Sequence, residues 1–93
     1  MYIHMFAFRM KDGVEEAQKD RMVGEIRDLQ KEIPAILEAW VGRNLSPRGQ
    51  GYEIGGVMKF PDQAAFEAYA AHPVHQRLLT WLVPLVDAVE VDF

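Results

Sequence analysis

The hydrophobic pattern of this chain predicts an α+β fold with the element order β-α-β-β-α-β. Two observations lead there. The apolar period switches along the sequence between about 2 residues and about 3.6, and the elements meet at Pro34, at the run from Ser46 to Gly51, at Pro61-Asp62 and at Pro84, which are turn-forming positions. No linker, repeat or low-complexity stretch interrupts the pattern, so residues 1–93 read as a single domain.

Each element has its own warrant. Residues 2 to 10 alternate Tyr2, His4, Phe6, Phe8 and Met10 against Ile3, Met5, Ala7 and Arg9, the pattern of a strand with two largely apolar faces. Asp12 and, three residues on, Glu15 resemble a capping box. Met22, Ile26, Leu29 and Ile33 then recur at helical spacing until Pro34 ends the helix. Residues 36 to 45 and 52 to 60 read as an antiparallel strand pair, joined by a loop rich in Pro and Gly. Asp62 is placed to cap a short helix carrying Phe66, Tyr69 and Ala70 on one face. His72-Pro73 breaks that helix, and Pro73 suits the first position of a second one that turns Leu78, Leu79, Leu82 and Val83 inward. After Pro84 a last strand places Val89, Val91 and Phe93 on one face and Ala88, Glu90 and Asp92 on the other. The sum is the ferredoxin-like arrangement, with a four-stranded antiparallel sheet.

Composition narrows the function. A chain of 93 residues with 49% hydrophobic content and no cysteine has neither a disulfide nor a thiolate-held metal, and its core must be thin. The net charge of -4, with ten Lys and Arg scattered among fourteen acids, speaks against nucleic acid or an anionic membrane as partner. Tyr2 to Phe8 follows Met1 with no basic region or long apolar run, so neither a signal peptide nor a membrane span is expected, and the expected location is cytoplasmic. Helices on one side of a sheet leave its other face, with Ile3, Met5 and Ala7, in need of cover. A homodimer packed sheet to sheet is the predicted remedy.

The segment from Tyr69 to His75 holds two of the chain's three histidines. His72 beside Pro73 is best placed to satisfy a free amide at the helix start, and spacing of three between His72 and His75 is too weak a signal for zinc. No metal or cofactor is expected. Gly49-Gln50-Gly51 precedes no helix, so it is no phosphate loop. The charged run Glu15 to Arg21 reads as a solvated helix face with local pairing, and Trp40 and Trp81 as packing or interface residues.

His4, Trp40-Val41-Gly42-Arg43-Asn44, Tyr52, His72-Pro73-Val74-His75 and Val91-Asp92-Phe93 together resemble the stress-responsive A/B barrel (Dabb, dimeric α/β-barrel) family over residues 3–93. The resemblance implies a face-to-face dimer. It implies no single activity, since the family includes stress-induced proteins of unknown chemistry and cofactor-free polyketide cyclases. For the cyclase-like members it implies that Tyr69 and His75 carry the chemistry and that His4 matches a first-strand histidine. Relatives often add a histidine where this chain has Ile54, so a cyclase's substrate does not carry over intact.

The residue types suit such chemistry. His75, in the first turn of a helix, is kept neutral by the positive end of the dipole and can act as a base. Tyr69 can stabilise an enolate or protonate an oxygen, and His4 can orient His75. Phe6, Phe8, Met22, Ile26, Met58, Val89 and Val91 are expected to line an apolar pocket for a small hydrophobic carbonyl ligand between sheet and helices, with Gly55-Gly56 leaving room. The competing expectation is a noncatalytic stress-associated dimer or larger assembly in which the same residues only pack the helix break.

Overall fold

The computed structural model describes residues 1–93. The chain runs β1 (Tyr2–Met10), α1 (Glu16–Glu32), β2 (Glu38–Arg43), β3 (Tyr52–Phe60), α2 (Gln63–Ala71), α3 (Pro73–Leu82), a 3₁₀ turn (Val83–Leu85) and β4 (Val86–Asp92). The strands form one four-stranded sheet in the order β2-β3-β1-β4, and every pairing is antiparallel. This is the ferredoxin-like βαββαβ arrangement, with the second helix split in two.

The element boundaries follow from local chemistry. Helix α1 starts three residues later than the Asp12 cap would have it. Asp12 lies in a turn whose Gly13 takes a φ of +84°, a left-handed conformation suited to glycine, so the chain is not yet helical there. Glu15 is the N-cap instead, and its backbone N–H donates to the Gln18 side chain at 2.8 Å. Ile33 closes the helix before Pro34, donating its N–H to the Leu29 carbonyl. Strand β2 is shorter than residues 36 to 45, although Leu37 and Asn44 still bond to β3 at 2.8 Å each. Strand β3 occupies residues 52 to 60 as expected.

The core lies on one side of the sheet. Met22, Val23, Ile26 and Leu29 of α1, followed by Ile33 and Ile36, meet Phe6, Phe8, Val41, Ile54, Met58 and Phe60 from the sheet. Each such side chain contributes about 1.5 to 3 kcal/mol when fully buried. Trp81 ties α3 to α1: its indole N–H donates to Glu25 at 3.3 Å, and the Arg21 guanidinium lies 3.9 Å from its ring. The charged run on α1 is not purely a solvated face, because Lys19 is buried and bonds Glu53 of β3 at 2.9 Å as well as Glu16. Arg43 of β2 reaches Glu16 and Asp20, each at 2.9 Å.

The other face of the sheet is bare. Cross-strand register sets Trp40, Val57, Met5 and Val91 in one row and Gly42, Gly55, Ala7 and Val89 in the next. Trp40 is 56% exposed, Val91 54% and Phe93 70%. No helix is long and apolar enough to cross a membrane.

Candidate functional site

The helix break builds the site. In an unbroken helix Tyr69 would accept from residue 73, but Pro73 has no N–H. Val74, which would have served Ala70, donates instead to His72 Nδ1 at 3.1 Å, the capping role expected of His72. The Ala70 carbonyl is thereby released. It meets His75 Nδ1 at 3.0 Å and the Gln76 side chain. A carbonyl only accepts, so Nδ1 of His75 carries the hydrogen and Nε2 keeps its lone pair.

Burial pushes the His75 pKa below its ordinary value, against the opposing pull of the Ala70 hydrogen bond and of the Glu90 carboxylate. The imidazole is therefore neutral near pH 7. Desolvation, rather than the helix dipole invoked from sequence, is the main cause. Tyr69 is 4% exposed, with its ring 4.3 Å from that of His75 and 5.1 Å from that of Phe60. Burial and the nearby Glu90 push its pKa upward, so the phenol keeps its proton and serves as a donor. No hydrogen bond within the chain uses that hydroxyl.

His4 enters from β1 on the same side of the sheet. Its Nδ1 lies 2.7 Å from Asp92 Oδ1, and the Tyr2 hydroxyl donates to the other carboxylate oxygen at 2.7 Å. The register explains this, because His4 stands directly opposite Asp92 in the β1–β4 ladder. Burial alone would raise the Asp92 carboxyl, but the hydrogen bonds from Tyr2 and His4 outweigh it and hold it below the usual carboxylate range. Tyr2 is in turn pushed up to about 12 by its bond to Asp92. The carboxylate accepts from Nδ1 and so fixes the His4 tautomer, leaving Nε2 free.

His4, Tyr69 and His75 line one cavity of about 280 Å³, together with Phe6, Phe8, Ile26, Leu29, Leu78, Leu79, Leu82, Val83, Val86, Ala88 and Glu90. Of the residues expected to line a pocket, Phe6, Phe8 and Ile26 do so. Met22 and Met58 do not: both are fully buried and pack in the core. Val89 and Val91 are corrected too, since they pair with Ala7 and Met5 and project from the opposite, bare face. Gly56 leaves no ligand room either, because a Cβ there would overlap the Phe6 ring, which fills the space. Gly55 belongs to the bare face. Ile54 is completely buried beside Phe8, so the position where relatives often carry a histidine holds a core residue.

The cavity wall from α3, and Glu90 and Asp92 from β4, were not assigned to the site from sequence. Alternation did group Ala88, Glu90 and Asp92 on one face, and that is the signal that could have found them. A second, more open depression of about 770 Å³ runs along β2 and β3 over Met5, Trp40, Gly42, Gly55 and Val57. It contains none of the histidines or Tyr69, so the smaller cavity is where acid-base chemistry is feasible.

The sequence matches the family described as Stress responsive A/B Barrel Domain over residues 3–93. A curated relative, a stress-response A/B barrel domain-containing protein of Arabidopsis thaliana, is 33% identical over 64 residues, 68% of this chain but 24% of the relative, so the chain spans only that fraction of the relative's length. A solved dimeric ferredoxin-like protein of unknown function from Thermobifida fusca has a TM-score of 0.88 at 27% identity, covering 99% of this chain and 88% of that one. The hydroxynitrile lyase of Passiflora edulis has a TM-score of 0.89 at 21% identity, covering 99% of this chain and 90% of that one, a likeness of fold.

Proposed function

The chain belongs to the stress-responsive A/B barrel family, and from that membership we propose that it is a homodimer that binds a small hydrophobic carbonyl compound and moves a proton on it without a cofactor, as a lyase or cyclase. One observation carries the reading: a neutral His75 with a free Nε2, a Tyr69 hydroxyl with no partner in the chain and a carboxylate-held His4 all line the same apolar cavity.

The roles follow from the protonation states. His75 Nε2 takes a proton from the carbon beside the carbonyl, and the electron pair of that C–H bond passes to the carbonyl oxygen as an enolate. The Tyr69 O–H donates a hydrogen bond to that oxygen as its charge develops. His4, held by Asp92 through Nδ1, keeps a lone pair on its own Nε2 and acts there as an acceptor, while the proton taken up by His75 is returned from His75 Nε2 to the oxygen or carbon of the product. The enolate carbon then attacks another carbonyl carbon in a cyclase, and the reverse step breaks the bond in a lyase. Phe6, Phe8, Ile26 and the α3 leucines exclude water and supply apolar contact.

The bare sheet face supports the dimer, since its rows around Trp40, Met5, Val91 and Phe93 form the kind of contiguous apolar surface that a second copy would cover. The fold neighbour from Thermobifida fusca is described as dimeric. The lyase of the same fold supports the chemistry only as precedent.

Deuterium incorporation beside the carbonyl of acetophenone in D2O, followed by NMR, tests the reaction. The wild-type protein is expected to accelerate exchange, Tyr69→Phe to slow it and His75→Ala to remove the acceleration. Equal exchange by wild type and both variants would sink the mechanism.

A further inference from the structure

We propose that Glu90 selects ligands by charge at the cavity, so that this site takes uncharged or cationic molecules and turns away carboxylates and other anions. The inference rests on the reading of the cavity as a ligand site and adds the substrate class that this site accepts.

The charge inventory of the cavity carries it. Of the fourteen lining residues eleven are hydrophobic, and the others are His4, His75 and Glu90. No lysine or arginine lines the space. His75 is held neutral by burial, and any positive charge on His4 faces the Asp92 carboxylate at 2.7 Å. Glu90 is different. It stands opposite Phe6 in the β1–β4 ladder, so its side chain leaves the sheet on the helix side. It takes part in no hydrogen bond or ion pair within the chain, and its negative charge is felt by both Tyr69 and His75. The field of this carboxylate in the cavity is therefore not offset by a local cation.

The same charge has a consistent role during proton transfer. It favours the imidazolium that His75 becomes, while the negative charge on substrate oxygen is met by the Tyr69 hydroxyl. An anionic ligand, by contrast, would bring a standing second negative charge beside Glu90, and with no lysine or arginine in the lining it would meet only the neutral Tyr69 hydroxyl. Because Glu90 is exposed, water weakens the effect to a factor of about 3 to 10 at low ionic strength, and salt screens it further.

Acetophenone, phenylacetate and 2-phenylethylamine, similar in size and differing in charge, can be titrated into the wild-type protein and Glu90→Gln by NMR at pH 7.5 and low salt. Wild type is expected to bind phenylacetate about 3- to 10-fold more weakly than acetophenone. Glu90→Gln should bring the two to within about twofold and weaken the amine, and added salt should compress the differences in wild type only. Phenylacetate binding wild type as tightly as acetophenone, or an unchanged ratio in Glu90→Gln, overturns the charge selection while leaving the ligand site in place. Failure of acetophenone itself to bind overturns the ligand site and this inference with it.

Discussion

The rings of Tyr69 and His75 lie 4.3 Å apart, centroid to centroid, although a helix ends and another begins between them. The contact exists because Pro73 forces the restart and frees the Ala70 carbonyl to hold His75. Tyr69→Phe keeps the ring contacts and removes only an unpartnered hydroxyl. Its stability should stay within about 1 kcal/mol of wild type, because no internal hydrogen bond is lost. Turnover should fall about 100-fold or more, the scale of losing an oxyanion donor. Urea unfolding alongside the exchange assay separates the two effects; a clear loss of stability with unchanged exchange would assign Tyr69 to packing.

The depressed pKa of His75 sets a pH window. Its folded value lies below the ordinary 6.5, so the unfolded chain binds the proton first as pH falls. The resulting stability is fully present above about pH 6.5 and is lost as pH drops through the folded value. The acid limb of exchange activity should fall below about pH 6.5 for the same reason. An NMR titration of the His75 ring giving a midpoint at or above that value would contradict the assignment of burial as the cause.

Asp92 gives a separate acid-side signature. Its folded pKa is lowered, so its contribution is present above the unfolded value of about 3.9 and disappears as pH falls through the folded one. Asp92→Asn should flatten the stability curve in that range. It should also release the His4 tautomer, visible as a change in His4 ring nitrogen shifts at neutral pH. Unaltered shifts would mean that Asp92 does not position His4.

Gly56→Ala tests the packing under the cavity. The new methyl would overlap the Phe6 ring, and the ring can escape only by turning into the cavity or displacing the sheet. A loss of about 1 to 3 kcal/mol in stability is expected, the usual scale of overpacking. Acetophenone binding should weaken at the same time. Retention of both would show that Phe6 has room elsewhere.

Trp40→Glu tests the proposed dimer. In the free chain position 40 faces water beside Lys59, so a carboxylate there costs little; in a sheet-to-sheet contact it would have to be stripped of water. Sedimentation should show a dimer for wild type and a monomer for the variant. A monomeric wild type would overturn the homodimer.

Much of this fold was legible because its boundaries are marked by residues with one local meaning. Pro34, Asp62 and Pro73 each end or start an element, Pro84 sits inside the 3₁₀ turn that follows α3, and strand β3 ran where its alternation placed it. The His72 cap and the Tyr69–His75 pairing across the break could also be reasoned from sequence. The faces of β4 could not. Beyond Val86, its large apolar residues are Val89 and Val91, and apolar normally means inward, yet the register with β1 turns these two to the bare face and leaves Ala88 and Glu90 toward the helices. A sheet that is apolar on both sides removes the contrast on which such assignments depend. Met22 and Met58 were misplaced for a related reason: alternation and helical spacing identify the inward side, but only the packing of neighbours separates a cavity wall from the centre of the core.

Strand β4 has a single neighbour, β1, and all its residues after Val86 are exposed. It is therefore the strand with the least holding it in place, and it carries both Glu90 and Asp92. Local opening of β4 would dismantle the charge and the histidine clamp while the rest of the sheet stayed folded. In the proposed dimer the second copy would cover Val89 and Val91 and raise the cost of that opening. Site completeness would then depend on protein concentration: dilution should speed amide exchange in β4 and lower activity per chain together, before any global unfolding is detected.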